Sequence, residues 1–345
     1  MKKKYQNGFF LAGIVFLGIM LTQLDYAEVW DGISKSGYWF AAVIALWAFL
    51  YLFNTAAWWL IIRSGQNSSE QPPHFLWLYK ITVSGFALNY ATPGGLMGGE
   101  PYKIMSLAPY ITTERATSSV ILHTMTHIFS HFWFWLISCV LYVCILPVTL
   151  PMAVLLLAVT AFCLTAIWFF LKGYKKGIAV SLLNLLRHIP FIKKWAIPFI
   201  SRHQEQLHTI DSQIAALHGQ NPRTFILAVA LELACRIVSA LEIYFVLLVV
   251  MPEGTYMQSI LILAFTSLLA NMLFFIPLQL GGRESGFLMS TTGLGMTLST
   301  GIFVALIVRL RELFWTAAGL LLIKLEKHHS STKQQTNEAN PTKNA

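Results

Sequence analysis

Charge is what this chain has least of. Only 11% of its 345 residues are Asp, Glu, Lys or Arg, while 56% are hydrophobic, and the mean hydropathy is +0.61. A water-soluble domain of this length cannot be built with so few charges, so the composition implies a polytopic membrane protein. The GxxxxGK(S/T), GxSxG, CxxC and dinucleotide fingerprints are missing as well, which argues against energy coupling by a nucleotide bound within this chain. Cysteine is scarce: Cys139, Cys144, Cys163 and Cys235 all lie in apolar segments. A thiol there behaves as a small hydrophobe, so neither a disulfide framework nor a zinc ribbon is indicated. No small-x-small cleavage site follows the basic start MKKK and the first apolar run, and that run is expected to remain as a helix.

Apolar stretches long enough for a bilayer core of about 30 Å occur at 8–24, 38–62, 75–91, 117–146, 152–171, 224–251, 257–278 and 298–323. Lysine and arginine bias orients them. Lys2, Lys3 and Lys4 precede the first stretch, and Asp25, Glu28 and Asp31 against Lys35 follow it, so the N-terminus is expected inside. Arg63, Lys80, the eight Lys/Arg of 172–223 and the basic residues after Lys324 are also expected inside. The connectors 147–151 and 252–256 carry only Glu253 and should be outside. The net charge of +9 flanks the spans, so anionic lipid headgroups explain it better than nucleic acid.

Eight full spans contradict that charge pattern. The conflict disappears if 75–91 and 257–278 each enter the membrane, turn and return to the same face. Their tips would be NYATPGGLMGGEPYK and NMLFFIPLQLGGRESG, in which Asn89, Pro93, Gly98-Gly99 and Glu100 echo Asn271, Pro277, Gly281-Gly282 and Glu284. The expected fold is an all-α polytopic membrane protein with about six full spans plus two re-entrant hairpins in an inverted-topology pseudo-repeat. Residues 1–327 form one membrane domain, including the basic amphipathic cytoplasmic segment 172–223, and 328–345 form a disordered cytoplasmic tail.

Broken backbone at membrane depth survives only where protein buries it or a wet cavity solvates it. Glycine allows positive φ and close approach, and proline ends the incoming helix. Glu100, Lys103, Arg283 and Glu284 adjoin the glycine pairs, and four such charges facing lipid would cost on the order of 10 kcal/mol. They must face a cavity or one another, in a hydrated site whose cations and helix ends suit a phosphate. His123, His127 and His131 recur at every fourth position and would line a water-accessible cavity. Spread over about 12 Å of helix rise, the three cannot share one ion, and no acidic residue follows at zincin spacing, so no metal is expected. Glu232 and Arg236 are spaced for an ion pair, Glu242 follows on the same helix, and Arg309, Arg311 and Glu312 interrupt the last span; charges inside spans are functional candidates.

SGFALNYATPGGLMGGEPYKIMSL and the stretch from Asn271 through RESG to VRLRELFW resemble the two signature regions of the lysylphosphatidylglycerol synthase transmembrane family, also called flippase-like domain proteins. Asn89, Pro93, Gly99 and Glu100 match the first region, and Pro277, Gly282, Arg283, Glu284 and Arg309 the second. The resemblance covers most of 8–325 and implies a bacterial or archaeal inner-membrane protein whose relatives move aminoacylated phospholipid or handle other lipid-linked substrates. Full-length synthases carry a further soluble domain, which this sequence is expected to lack. It departs from relatives in placing Glu114-Arg115 early, with the histidine stripe after it.

The leading expectation is therefore a lipid translocase without a cofactor. Its substrate site would comprise Asn89, Pro93, Gly98, Gly99, Glu100, Lys103, Gly281, Gly282, Arg283, Glu284 and Arg309, with His123, His127 and His131 lining the cavity. The alternatives are an intramembrane enzyme acting on a lipid-linked substrate and a non-transporting partner of a synthase or glycosyltransferase. Expected partners are the phospholipid or lipid-linked substrate and anionic lipids, with a homo-oligomer or a synthase partner compatible with the sequence.

Overall fold

The computed structural model describes residues 11, 15, 26–64, 73–91, 98–173, 212, 222–272 and 282–338. Among them are ten helices and no strand: α1 (Tyr26–Ser36), α2 (Tyr38–Ser64), α3 (Phe75–Ala91), α4 (Gly99–Leu107), α5 (Thr113–Ile145), α6 (Leu150–Gly173), α7 (Pro222–Val250), α8 (Tyr256–Met272), α9 (Gly282–Gly293) and α10 (Leu298–Glu338). Four stretches, Tyr38–Ser64, Thr113–Ile145, Leu150–Trp168 and Arg223–Val250, are long and apolar enough to cross a membrane. The expected first span, 8–24, falls almost wholly outside the described residues, as does the basic segment 172–223. α10 is long enough at 41 residues, but Arg309, Arg311 and Glu312 interrupt its apolar run. It is helical through Glu338.

Each half of the chain runs long helix, 17-residue helix, short helix, long helix: α2 to α5, then α7 to α10. The packing follows the same order. α3 lies against α2, α4 and α10, and α8 lies against α7, α9 and α5, while α2 and α7 pack together at the centre. α6 is peripheral, with Leu150, Leu157 and Trp168 exposed, as a lipid-facing helix requires.

Small residues set the closest approaches. A Cβ on Gly319 of α10 would lie 2.5 Å from the Ala87 Cβ and 2.8 Å from the Val83 carbonyl of α3, so those backbones touch only because Gly319 has no side chain. Positive φ belongs to Gly37 and Gly295 among the described glycines. At the described end of the first glycine-rich stretch, Gly98 sits at φ −101°, so close approach rather than positive φ is the use found there.

Candidate functional site

The first motif forms a polar knot where α3 meets α4. Asn89, near the end of α3, accepts a hydrogen bond from the Gly99 N–H at 2.7 Å and donates one to Glu100 Oε1 at 3.2 Å. It thus does for the N-terminus of α4 what a capping side chain normally does, although it lies ten residues upstream. A Cβ on Gly99 would fall 2.1 Å from the Gly85 carbonyl oxygen and 2.6 Å from Asn89 Oδ1, so only glycine admits this arrangement. Lys103 closes the knot: its ammonium lies 3.5 Å from Glu100 and near the faces of Trp58 and Phe86, with the side chain 3% exposed.

The second motif pairs differently. Arg283 contacts Glu312, and Arg309 lies 3.1 Å from Glu284, so both charges at the start of α9 are tied to α10. The charges of the two motifs thus find partners within their own halves of the chain. Asn271 donates to the Ser267 carbonyl within α8.

Between these elements lies a cavity of about 360 Å³ walled by α2, α3, α5, α7, α8, α9 and α10. Its charged lining is Glu232, Arg236, Glu242, Arg283, Arg311 and Glu312, with His127 and His131 beside them. Of the expected site residues, Asn89, Arg283, His127 and His131 line this cavity. Gly98, Gly99, Glu100, Lys103, His123, Gly282, Glu284 and Arg309 are not among its lining residues. Pro93 and Gly281 lie outside the described residues.

Two charge clusters occupy the wall. In one, Arg311 bridges Glu242 through Nε at 2.7 Å and a terminal nitrogen at 2.9 Å, while Trp47 donates its indole N–H to Glu242 at 2.8 Å. Glu312 joins Arg311 to Arg283, giving an alternating chain of two guanidinium and two carboxylate groups. In the other, Glu232 of α7 lies 3.2 Å from His123 Nε2 and 2.8 Å from His127 Nδ1 of α5. Arg236 does not take the partner its spacing suggests. It donates to Ser130 Oγ at 2.7 Å and to the His127 carbonyl at 2.9 Å. His131 continues the stripe edge-on to His127, with ring centroids 5.5 Å apart. No group of three His, Cys, Asp or Glu among the described residues is arranged to hold a metal ion.

Asn54 Oδ1, His131 Nδ1 and Trp315 Nε1 belong to lining residues and are buried with no hydrogen-bond partner among the described residues. Unmet donors and acceptors around a polar room suit a ligand that offers both. Trp47, Tyr51, Asn54 and Trp315 were missed from sequence; Asn54, a polar side chain within a span, is the one that left a signal. Glu242, Arg311 and Glu312 stood out as charges inside spans, but their shared cavity did not.

The profile of the family described as "Lysylphosphatidylglycerol synthase TM region" matches residues 8–319, and a soluble synthase domain is not evident. No curated protein and no solved structure matches the chain.

Proposed function

This chain belongs to the family of lysylphosphatidylglycerol synthase transmembrane regions, and from that premise we propose that it moves a phospholipid or lipid-linked headgroup across a bacterial or archaeal inner membrane. Membership relates it to lipid handling; the observation that carries the transport reading is the charged cavity itself. Three arginines and three glutamates converge there from α7, α9 and α10, although exposing even one of them to lipid costs about 2.5–3.5 kcal/mol. A polar chamber enclosed by membrane helices lets a headgroup cross while its acyl chains stay in the bilayer.

The architecture supports the same reading. α3 and α8 have 17 residues each, about 25 Å of helix, which falls short of a bilayer core of about 30 Å. Each is followed by a short helix that begins at a glycine, with Glu100 or Glu284 in its first turn. We read these as two re-entrant hairpins of opposite orientation, with both chain termini cytoplasmic. Asn89 and Arg283 would meet the headgroup directly. Glu100, Lys103, Glu284 and Arg309 would hold the helix ends that present them.

The test is transport of a fluorescent phospholipid in proteoliposomes. Arg283→Ala and Glu100→Gln are each expected to reduce the rate at least tenfold without loss of monodisperse protein. Wild-type rates in both variants would reject these site assignments. The contact of His127 with Glu232 at 2.8 Å favours acid–base chemistry as the second reading. Conversion of lipid into a new chemical species by the pure protein would replace transport with that reading.

A further inference from the structure

We propose that Arg236 is the phosphate anchor of the chamber, so that the ligand carries an anionic phosphate ester. This deepens the translocation reading and rests on it for the lipid character of the ligand.

Three arginines line the chamber, and two of them are neutralised within the protein. Arg283 meets Glu312, and Arg311 meets Glu242 at 2.7 Å. Arg236 has no carboxylate at ion-pair distance among the described residues. The hydrogen bonds it makes go to neutral acceptors, Ser130 Oγ and the His127 carbonyl. The nearest acid on its own helix, Glu232, is held by His123 and His127 instead. Among the described residues, then, no carboxylate contacts the guanidinium at the middle of α7 (Pro222–Val250), and its fork is left for a counter-charge from a ligand.

The surroundings indicate what would supply it. A guanidinium fork matches two oxygens of a phosphate. Ser239 and Ser267 line the same chamber, and His131 Nδ1 is buried there without a partner. The Ser239 and Ser267 hydroxyls already donate to the Arg236 and Ala264 carbonyls, so His131 Nδ1 is the neutral group placed to donate to a further phosphate oxygen, and among the described residues no carboxylate lies at ion-pair distance from Arg236 to compete. A second cavity of about 180 Å³, between α5, α6, α8 and α9, is lined by side chains such as Leu155, Leu261, Phe265 and Met289. α8 divides the two cavities: Thr266 and Ser267 face the polar one, and Phe265 and Leu268 the apolar one. A phosphate beside an apolar space fits an amphiphile better than a free anion.

Native mass spectrometry of the full chain in detergent tests this with three probes: dioleoylphosphatidylglycerol, dioleoylglycerol and inorganic phosphate. The wild type is expected to retain the phospholipid at least tenfold better than dioleoylglycerol. Arg236→Gln should erase that preference, and Arg236→Lys, which keeps charge but loses the fork, should weaken it severalfold. Should Arg236→Gln fail to elute as a folded species, the lysine variant decides. Retention of inorganic phosphate with the same dependence on Arg236 would support the phosphate site and make the anion, not the lipid, its determinant. Equal retention of dioleoylglycerol and phospholipid by the wild type, or undiminished preference in both variants, would overturn the proposal. Transport measured in parallel separates the two readings. Arg236-dependent retention without movement by the wild type keeps the anchor and removes translocation. Loss of movement with undiminished retention does the reverse.

Discussion

Arg311 and Glu242, whose side chains are 5% and 3% exposed, form a nearly enclosed ion pair in the chamber wall. Breaking such a pair on one side leaves a buried charge and costs about 3–5 kcal/mol, whereas replacing both partners with apolar side chains is often neutral. Glu242 also accepts the Trp47 indole N–H, and the Arg311 guanidinium lies 3.8 Å over the Trp47 ring, so the pair also fixes an aromatic wall. Glu242→Gln is expected to lower the unfolding midpoint in detergent strongly. Glu242→Leu combined with Arg311→Met should recover much of that loss, because Glu312 keeps its contact with Arg283. A double variant as unstable as the sum of its single changes would show that the pair is not coupled in this way. At this scale the sequence revealed the charges and concealed the partners. Spacing along one helix suggests Glu232 with Arg236, yet the residues 105 and 106 positions away, His127 and Ser130, take their places. Tertiary neighbours in a low-dielectric interior outweigh a helix-surface preference worth a few tenths of a kcal/mol.

The junction of α3 with α4 shows what the glycines of the first motif are for. A methyl on Gly99 meets backbone, the Gly85 carbonyl at 2.1 Å, and relief would require the helices to part. A methyl on Gly85 meets the Lys103 side chain, with Cε at 2.6 Å, and a lysine stem can shift. Gly99→Ala is therefore expected to destabilise by about 1–3 kcal/mol, as overpacking does, and by more than Gly85→Ala. Thermal unfolding of the two variants in one detergent checks the order, and a reversed order would mean that the Asn89 knot does not hold α4 in place. The Asn-to-Gly-Glu pattern was legible as a break between apolar runs. Its role as a remote helix cap was not, because that depends on how sharply α4 folds back on α3. The second motif, similar in letters, is fastened to α10 instead, since Arg283 and Glu284 find Glu312 and Arg309 there.

Across the molecule, the apolar runs and their lengths were readable because every bilayer-crossing helix must satisfy its backbone internally. The expectation of about six full spans compares with four helices that meet the length and composition of a span. The difference lies in a first run outside the described residues and in a last helix interrupted by three charges. Arg311 and Glu312 line the chamber, so two of the residues that weaken the hydropathy signal also wall the cavity. The proposed inverted pair of hairpins rests on the charge distribution and on the matching order of helices in the two halves. It makes a prediction that neither stability nor transport data can substitute for. In a background with Cys139, Cys144, Cys163 and Cys235 replaced, a cysteine at Gly98 and one at Gly281 are expected to react with a membrane-impermeant maleimide from opposite faces of the membrane. If each hairpin enters from its own side, a reagent confined to the cytoplasmic face reaches the first position at least tenfold faster than the second, and a reagent outside reverses that ratio. Labelling of both positions from one face would mean that the halves share an orientation, and the chamber would then have to open to both leaflets by some means other than a pair of opposed hairpins.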